Sequence, residues 1–338
     1  MRVAVCYNQT PENVRRGEAR DMIADAGAAT EAAAVLKAVQ LLGHQAEMLP
    51  LGDSLGAFVQ RIGQYAPDMV FNLCEGFWGD AHQEMNLAGL FELLGLPFTG
   101  SSALTLGLTQ NKSYTKALLQ QKGLPTPAWC LVQQGEKLPD ISELQFPLIV
   151  KPACEDASQG IGPASVVDSE AALRQRLAYV LKTYQQPALI EEFIAGRELN
   201  VTVLGGEKLR ALPLAEIVFD SGLERPMVCF DSKWRPDSPA FKGTRPVCPA
   251  NLGARERLLV NLVSMRAARL LGCRDYARVD IRLRDSTPYI LEVNANPDIS
   301  PDAGVARAAA AEGLTYPQLI ERILLDVSRR RKAVNANT

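Results

Sequence analysis

The segment 276–301 alternates strictly between apolar and polar residues on either side of a turn cluster, which constrains the fold more than any other part of the chain. Its apolar positions are Val279, Ile281, Leu283, Tyr289, Leu291 and Val293. This period of two predicts a β-hairpin with one buried face. We expect a loop of odd length, because an even loop would set polar positions of one strand on the apolar face of the other. The loop is then Asp285 to Thr287, or Asp285 to Tyr289.

The polar face of this hairpin carries candidate metal ligands. The register sets Asp280 opposite or diagonal to Glu292, with Asn294 one step along the same face. Two carboxylates so placed repel each other unless a cation lies between them. Two acidic oxygen ligands and one neutral ligand suit Mg²⁺, which also accepts oxygens from phosphates. The alternative is a solvated polar face on which arginines neutralise the acids.

Composition excludes several classes of protein. The 338 residues are 47% hydrophobic and 22% charged, with a net charge of −2, as in a soluble globular protein with no nucleic-acid or membrane partner. Two histidines make a zinc site or a histidine-based triad improbable. Seven cysteines without a C-x-x-C pair suit reduced thiols in the cytoplasm.

Alternating strands and helices in the first hundred residues predict an α/β domain built on an open parallel sheet. No G-x-G-x-x-G follows the first strand, so a dinucleotide site there is poorly supported. We place an N-terminal Rossmann-like domain at 1–105, a small α+β domain at 106–187 and a larger α+β domain at 188–332. Residues 333–338 are predicted to be a disordered tail.

A buried strand ends in Lys151 and is followed by a loop of small residues and glycines, 153–162. Such a loop lets backbone N–H groups approach phosphate oxygens beside a fixed cation. About forty residues later, Glu191 and Glu198 are carboxylates suited to an adenine edge and ribose hydroxyls. Each feature alone also fits an ordinary hairpin or a sheet surface, and Lys112 alone fits a solvated lysine.

Taken together, these motifs resemble the ATP-grasp superfamily, and within it the D-alanine–D-alanine ligase-like group. The resemblance covers roughly residues 70–325, with the motifs in the family's order and at similar spacing. The segments that carry it are Leu96-Pro97-Phe98-Thr99-Gly100-Ser101, Asn111-Lys112, Ile149-Val150-Lys151-Pro152, Leu189-Ile190-Glu191, Cys248-Pro249-Ala250, Arg278-Val279-Asp280 and Leu291-Glu292-Val293-Asn294. It implies a three-domain ATP-grasp architecture.

The resemblance also implies how the nucleotide is held. Lys112 and Lys151 would bind the phosphates of ATP, and Ser158 lies in the loop that would close over them. The base and the ribose would be held by Glu191, by the backbone near Ile194 and by Glu198.

Roles in catalysis follow from the same comparison. Two Mg²⁺ ions, or Mn²⁺ in their place, would be bound by Asp280, Glu292 and Asn294. Arg278 would stabilise charge on the phosphoryl group and the tetrahedral intermediate, and Lys233 would reach the γ-phosphate from a lid at 219–249. Glu84, the residue matched in the segment from Cys74, joins this catalytic set.

The activity implied is that of an ATP-dependent carboxylate–amine ligase, acting on small substrates such as amino acids. An acyl phosphate would form, ADP and phosphate would be released, and the chain would be a homodimer. A genuine D-alanine–D-alanine ligase is the first alternative, and an ATP-binding module without ligase activity is the second. Arg278 argues against the second, because a binding module needs no arginine for the transition state.

The acceptor half departs from the family pattern. The E-x-E-V-S segment that holds the first D-alanine is missing after the first strand. Asp298 stands where those ligases carry a glycine, and Ala303 where they carry a serine for the acceptor's carboxylate. We therefore expect D-alanine to be a poor acceptor.

Overall fold

The computed structural model describes residues 1–10, 17–21, 23, 27–206 and 208–336. The sequence from the first strand to about Ala29 is rich in asparagine, glycine and charged residues and predicts a loop, part of which lies outside these residues. In the described part of the chain, no helix is both long and apolar enough to cross a membrane.

The N-terminal unit is a parallel sheet with helices packed on it. Its strands are β1 (Arg2–Asn8), β2 (Gln45–Leu51) and β3 (Met69–Leu73), in the order β2-β1-β3. Its helices are α1 (Ala28–Leu41), α2 (Leu55–Tyr65) and α3 (Glu84–Leu93). Residues 3–6 of β1 are fully buried, which explains their unbroken apolar run. The predicted open parallel sheet is therefore present.

The central unit pairs helices with an antiparallel sheet. The helices are α4 (Ala103–Gln110), α5 (Lys112–Gln121) and α6 (Glu170–Tyr184). The strands are β4 (Trp129–Val132), β5 (Leu148–Pro152), β6 (Val166–Val167) and β7 (Ala188–Glu192), in the order β4-β7-β5-β6. We expected β7 to open the third unit, but β7 pairs with β4 and β5, so this sheet extends to Glu192.

The C-terminal unit is a second antiparallel sheet. Its strands are β8 (Arg197–Gly205), β9 (Arg210–Ala211), β10 (Ala215–Phe219), β11 (Thr244–Val247), β12 (Asp275–Arg284) and β13 (Thr287–Asn294). The sheet order is β11-β10-β8-β12-β13, with β9 on β8. Its helices are α7 (Phe230–Trp234), α8 (Pro239–Lys242), α9 (Ala254–Leu270), α10 (Gly304–Ala311) and α11 (Tyr316–Ala336).

Helix α11 corrects the prediction of a disordered tail from 333. The helix continues to Ala336, and residues 337 and 338 lie outside the described part. Leu319, Ile320 and Ile323 of α11 are fully buried and pack in one cluster with residues of β1 and α1. The C-terminal helix thus ties the last unit to the first.

The hairpin formed by β12 and β13 has a loop of even length, so the predicted odd loop is wrong. Arg284 pairs with Thr287, which leaves a two-residue turn at Asp285 and Ser286. Both turn residues have positive φ angles, 49° and 60°, as the tight turns that suit a twisted hairpin require. A register shift between Asp280 and Ile281 restores the parity.

The bulge has two consequences for the polar face. Ile281 pairs with Ile290 and Asp280 pairs with Glu292, which leaves Leu291 as the extra residue. Ile290 is fully buried in place of Tyr289 and Leu291, which were predicted to share the buried face. Asp280 and Glu292 lie directly opposite each other, as predicted.

Gly196, in the turn from β7 to β8, has a φ of +143°, and a Cβ atom there would lie 2.2 Å from the carbonyl oxygen of Leu283. We predict that Gly196→Ala lowers the free energy of unfolding by about 1–3 kcal/mol, because the backbone must shift to relieve the clash. Gly63→Ala is the matched control, since Gly63 is exposed in α2 with nothing within 4 Å of the added atom. The control should leave stability unchanged or raise it by up to about 1 kcal/mol. Urea unfolding measures both, and equal values would contradict the prediction.

Candidate active site

A solvent-open cavity lies between the central and C-terminal sheets. Its apolar lining comes from Ile149, Ile161, Phe193, Ile194, Met227 and Leu291. The bulge in β13 therefore places Leu291 at the cavity. A cleft that combines an apolar surface with converging charged groups is typical of small-molecule sites.

Most of the predicted site residues meet at this cavity. The lining includes Lys151, Ser158, Glu191, Ile194, Glu198, Lys233, Asp280 and Glu292. Lys112 and Arg278 reach the same residues through direct contacts with Glu292 and Asp280. Strand and helix ends that are far apart in sequence thus converge on one space.

Glu191 is clamped between two buried lysines at the inner end of the cavity. Lys151 Nζ lies 2.5 Å from Glu191 Oε1, and Lys116 Nζ lies 2.6 Å from Glu191 Oε2. Burial alone would raise the pKa of Glu191, but Lys116 and Lys151 outweigh burial and lower it. The carboxylate is therefore ionised and fixes the end of Lys151.

Lys112 is held at the first turn of α5 by the loop that follows Lys151. Asn111 caps this helix, because its side-chain oxygen accepts hydrogen bonds from the backbone N–H of Ser113 and of Tyr114. Lys112 Nζ donates to the carbonyl oxygen of Glu155 at 2.5 Å and lies 3.6 Å from Glu292 Oε2. The helix and the loop together bring a lysine to the hairpin carboxylates.

The hairpin presents charged groups of both signs on one face. Arg278 binds both oxygens of Asp280, at 2.7 and 2.9 Å. Asn200 of β8 donates to Asp280 Oδ1 at 2.7 Å. Arg278 on the same strand and Asn200 on the neighbouring strand therefore fix the orientation of the Asp280 carboxylate.

Glu292 lies in a field of four cations. Burial opposes ionisation, but Lys112, Lys151, Arg278 and Lys233 hold the pKa of Glu292 at about 2. Glu292 is therefore ionised at neutral pH. So much positive charge beside a cavity favours an anionic ligand there.

The donor set fits the Mg²⁺ site predicted from sequence. Asp280 and Glu292 face each other across the two strands, and Asn294 pairs with Arg278 one step along. Asn294 Oδ1 accepts a hydrogen bond from the N–H of Asn296 at 2.9 Å. Within the described residues no group of three or more His, Cys, Asp or Glu side chains is placed to hold a metal ion, and the ligands proposed here are two carboxylates and one amide. Oxygen donors of this kind are those that Mg²⁺ prefers.

The far end of the cavity is organised by Glu198 and Arg282. Arg282 donates to Glu198 Oε2 at 2.6 Å and to the carbonyl oxygen of Pro226 at 2.7 Å. Burial raises the pKa of Glu198, against the opposing effect of Arg282. A buried carboxylate that an arginine orients is suited to accept hydrogen bonds from hydroxyl groups.

The predicted lid segment, 219–249, forms α7, α8 and β11 and contacts the loop 153–162. Trp234 Nε1 donates to the carbonyl oxygen of Ala157 at 3.0 Å, and the N–H of Phe230 donates to that of Ile161 at 2.9 Å. These contacts hold α7, with Lys233, at the cavity. The segment therefore covers the cavity from the side of the loop.

Glu84 lies apart from the cavity lining. It is buried at the start of α3, where it accepts a hydrogen bond from Asn296 Nδ2 at 2.9 Å. Burial, with a smaller contribution from Asp156, raises the pKa of Glu84 well above its usual range. Its contacts connect the N-terminal unit to the loop after β13, and its catalytic role stays a prediction.

Sequence reasoning missed Lys116, Asn200 and Arg282, although their spacing gave a signal. Lys116 follows Lys112 by one helical turn, so both lie on one face of α5. Asn200 and Arg282 follow Glu198 and Asp280 by two residues on their strands, which places each pair on the same face of the sheet.

Comparisons with known proteins agree with the fold. The family model "D-ala D-ala ligase C-terminus" matches residues 118–325. The chain is 35% identical over 306 residues to the uncharacterized protein y4sG of Sinorhizobium fredii, covering 88% of this chain and 87% of that protein.

Relatives with a named activity are nearly as similar. A D-alanine–D-alanine ligase of Synechococcus is 31% identical over 298 residues, covering 87% of each chain. That of Moorella thermoacetica is 32% identical over 300 residues, covering 86% of this chain and 91% of its own. The crystal structure of the Bacillus anthracis D-alanine–D-alanine ligase complexed with ATP superposes with a TM-score of 0.77 at 23% identity, over 98% of this chain and 99% of its own.

The chain belongs to the D-alanine–D-alanine ligase family and has the ATP-grasp fold. The resemblance, the fold class and the class of enzyme expected from sequence, an ATP-dependent carboxylate–amine ligase, are thereby confirmed.

Proposed function

We propose that this enzyme activates the carboxylate of one small substrate, such as an amino acid, with ATP and joins it to the amine of another. The observation that carries this proposal is the convergence of Lys112, Lys151, Arg278 and Lys233 on Glu292, beside a cavity that is apolar in part. Cations so arranged are suited to a nucleotide's phosphates at one end, with the apolar lining suited to its base.

The charges determine the chemistry. A carboxylate oxygen of the first substrate attacks the γ-phosphorus of ATP, the bond to the β-phosphate oxygen breaks, and ADP leaves. The amine of the second substrate then attacks the acyl carbon, the carbon–oxygen bond to phosphate breaks, and the amine loses a proton. Lys151, Lys112 and Lys233 would neutralise charge on the phosphoryl group, and Arg278 the oxyanion.

The hairpin would hold Mg²⁺, which supplies charge neutralisation and alignment for phosphoryl transfer when bound. We propose two ions held by Asp280, Glu292 and Asn294, with Mn²⁺ as an alternative. Arg278 and Lys112 contact the same carboxylates. The contacts of α7 with Ala157 and Ile161 would keep water from the acyl phosphate, which hydrolyses readily.

The neighbourhood of Asp298 supports an acceptor other than D-alanine. Glu31 accepts a hydrogen bond from the N–H of Ile299 at 2.8 Å. Burial raises the pKa of Glu31 well above its usual range, with Asp298 and Glu75 adding to the effect. Ala303 precedes α10 without a side-chain cap. A free carboxylate at this place would meet the Asp298 side chain and lose the hydroxyl donor that the family provides.

Other aspects of the proposal rest on less specific support. No disulfide links the seven cysteines, all of which lie in the described residues, and this suits the cytoplasm. The homodimer is proposed from the family resemblance alone.

Release of ADP and phosphate, measured against a panel of amino acids, tests the proposed activity. It should require a carboxylate substrate and an amine together. ATP binding without turnover for any pair would favour a binding module instead.

The metal ligands give a sharper prediction. Asp280→Asn and Glu292→Gln should each lower kcat by at least about 100-fold, because phosphoryl transfer loses its charge alignment. Both variants should keep the fold but lose some stability, because Arg278 loses its charged partner in Asp280→Asn and Lys112 loses one carboxylate partner in Glu292→Gln.

Glu321→Gln, an exposed change on α11, is the matched control and should retain wild-type activity. Circular dichroism checks the fold of each variant. Wild-type turnover by Asp280→Asn or Glu292→Gln at saturating Mg²⁺ would rule out the metal assignment.

Acceptor choice is a separate prediction. D-alanyl-D-alanine formation from ATP and D-alanine should be slower, in kcat/KM, than amide formation with a larger amine or with one whose carboxylate lies elsewhere. The physical reason is the lost donor at Ala303 and the like charge at Asp298. If D-alanine is the best acceptor of the panel, the enzyme is a genuine D-alanine–D-alanine ligase.

A further inference from the structure

We propose that Lys116 is a positioning residue for ATP, which acts by neutralising Glu191 and so keeps the charge of Lys151 available to the nucleotide's phosphates. This inference rests on the nucleotide site proposed above. It assigns a role to a buried lysine that contacts Glu191 but does not line the cavity.

Lys116 has no access to solvent and does not line the cavity. Its side chain is 0% exposed, and the cavity wall on this side is formed by Lys151 and Glu191. Its Nζ lies 2.6 Å from Glu191 Oε2 and donates to Thr126 Oγ1 at 2.9 Å. The contact between Lys116 and the cavity therefore runs through Glu191.

The arrangement of charge gives the reason for a second lysine. Lys151 and Glu191 alone would form a neutral buried pair, and a phosphate would have to compete with Glu191 for Lys151. With Lys116 on the opposite oxygen, two cations share one carboxylate and the group keeps a net positive charge. An anion beside Lys151 then meets a net positive charge and is attracted to it.

The protonation of Lys116 is consistent with this role. Burial, with the like charge of Lys151 adding to it, lowers the pKa of Lys116 to about 8 in spite of Glu191. The lysine is therefore mostly charged at neutral pH, as neutralisation of Glu191 requires.

A second contact links Lys116 to the hairpin of β12 and β13, which carries the proposed metal ligands. Thr126 Oγ1, which accepts from Lys116, donates to the carbonyl oxygen of Ile290 at 2.8 Å. Ile290 precedes the bulge at Leu291 and the ligand Glu292. Thr126 therefore links the side chain of Lys116 on α5 to β13.

A double-mutant cycle with Glu191 separates this role from a purely structural one. ATP affinity is measured by calorimetry for wild type, Lys116→Met, Glu191→Gln and the double variant. Lys116→Met should weaken ATP binding by about tenfold or more, the effect of a lost charge-assisted interaction. In the Glu191→Gln background, where no charge needs neutralising, the same change should alter affinity by less than about threefold.

Kinetics and controls complete the test. Lys116→Met should raise KM for ATP more than it lowers kcat, and Lys122→Met, an exposed change after the same helix, should do neither. Thermal unfolding checks each variant, and Lys116→Gln replaces Lys116→Met if the latter does not fold.

The outcomes are distinct. Loss of affinity only in the presence of Glu191 supports the proposal. Equal loss in both backgrounds, or no loss in either, overturns it while the nucleotide site stands. A wild-type protein that binds no ATP overturns the nucleotide site and this inference together.

Discussion

The pairing of Asp280 with Glu292 across one hairpin is the constraint on which the rest of the site depends. Two facing carboxylates at the edge of a cavity are unstable without nearby positive charge. Lys112, Lys151, Arg278 and Lys233 supply that charge from four different parts of the chain, and each is fixed by its own element. The fold can therefore be understood as a means of holding these cations around Glu292.

Positioning of this kind needs both antiparallel sheets. The central sheet brings Lys151 and Glu191 to the cavity on β5 and β7, while the C-terminal sheet brings Glu198, Asp280 and Glu292 on β8, β12 and β13. Helix α7 is held at the cavity by the hydrogen bond that Trp234 Nε1 donates to the carbonyl oxygen of Ala157. Phosphoryl transfer depends largely on such preorganised charge, since little covalent chemistry falls to the protein.

Local patterns predicted the strands and the facing carboxylates well, because period-two alternation is set by burial of one face. The bulge at Leu291 could not be predicted this way. The two-residue turn has an even length, which conflicts with the alternation of apolar residues. The extra residue in β13 restores the register between the two strands. Likewise the sequence predicts a strand at β7, but the local pattern does not determine that β7 pairs with β4 and β5. Lys116 was missed because a buried lysine resembles a solvated one until its carboxylate partner is known.

The transfer of oxygen tests the central claim most directly. A carboxylate substrate labelled with ¹⁸O in both oxygens is incubated with ATP, Mg²⁺ and the amine, and the released phosphate is examined by mass spectrometry. Attack of the carboxylate on the γ-phosphorus predicts that each phosphate released by amide formation carries one ¹⁸O atom from the substrate. Phosphate without the label would mean that ATP is cleaved by water and would contradict the account.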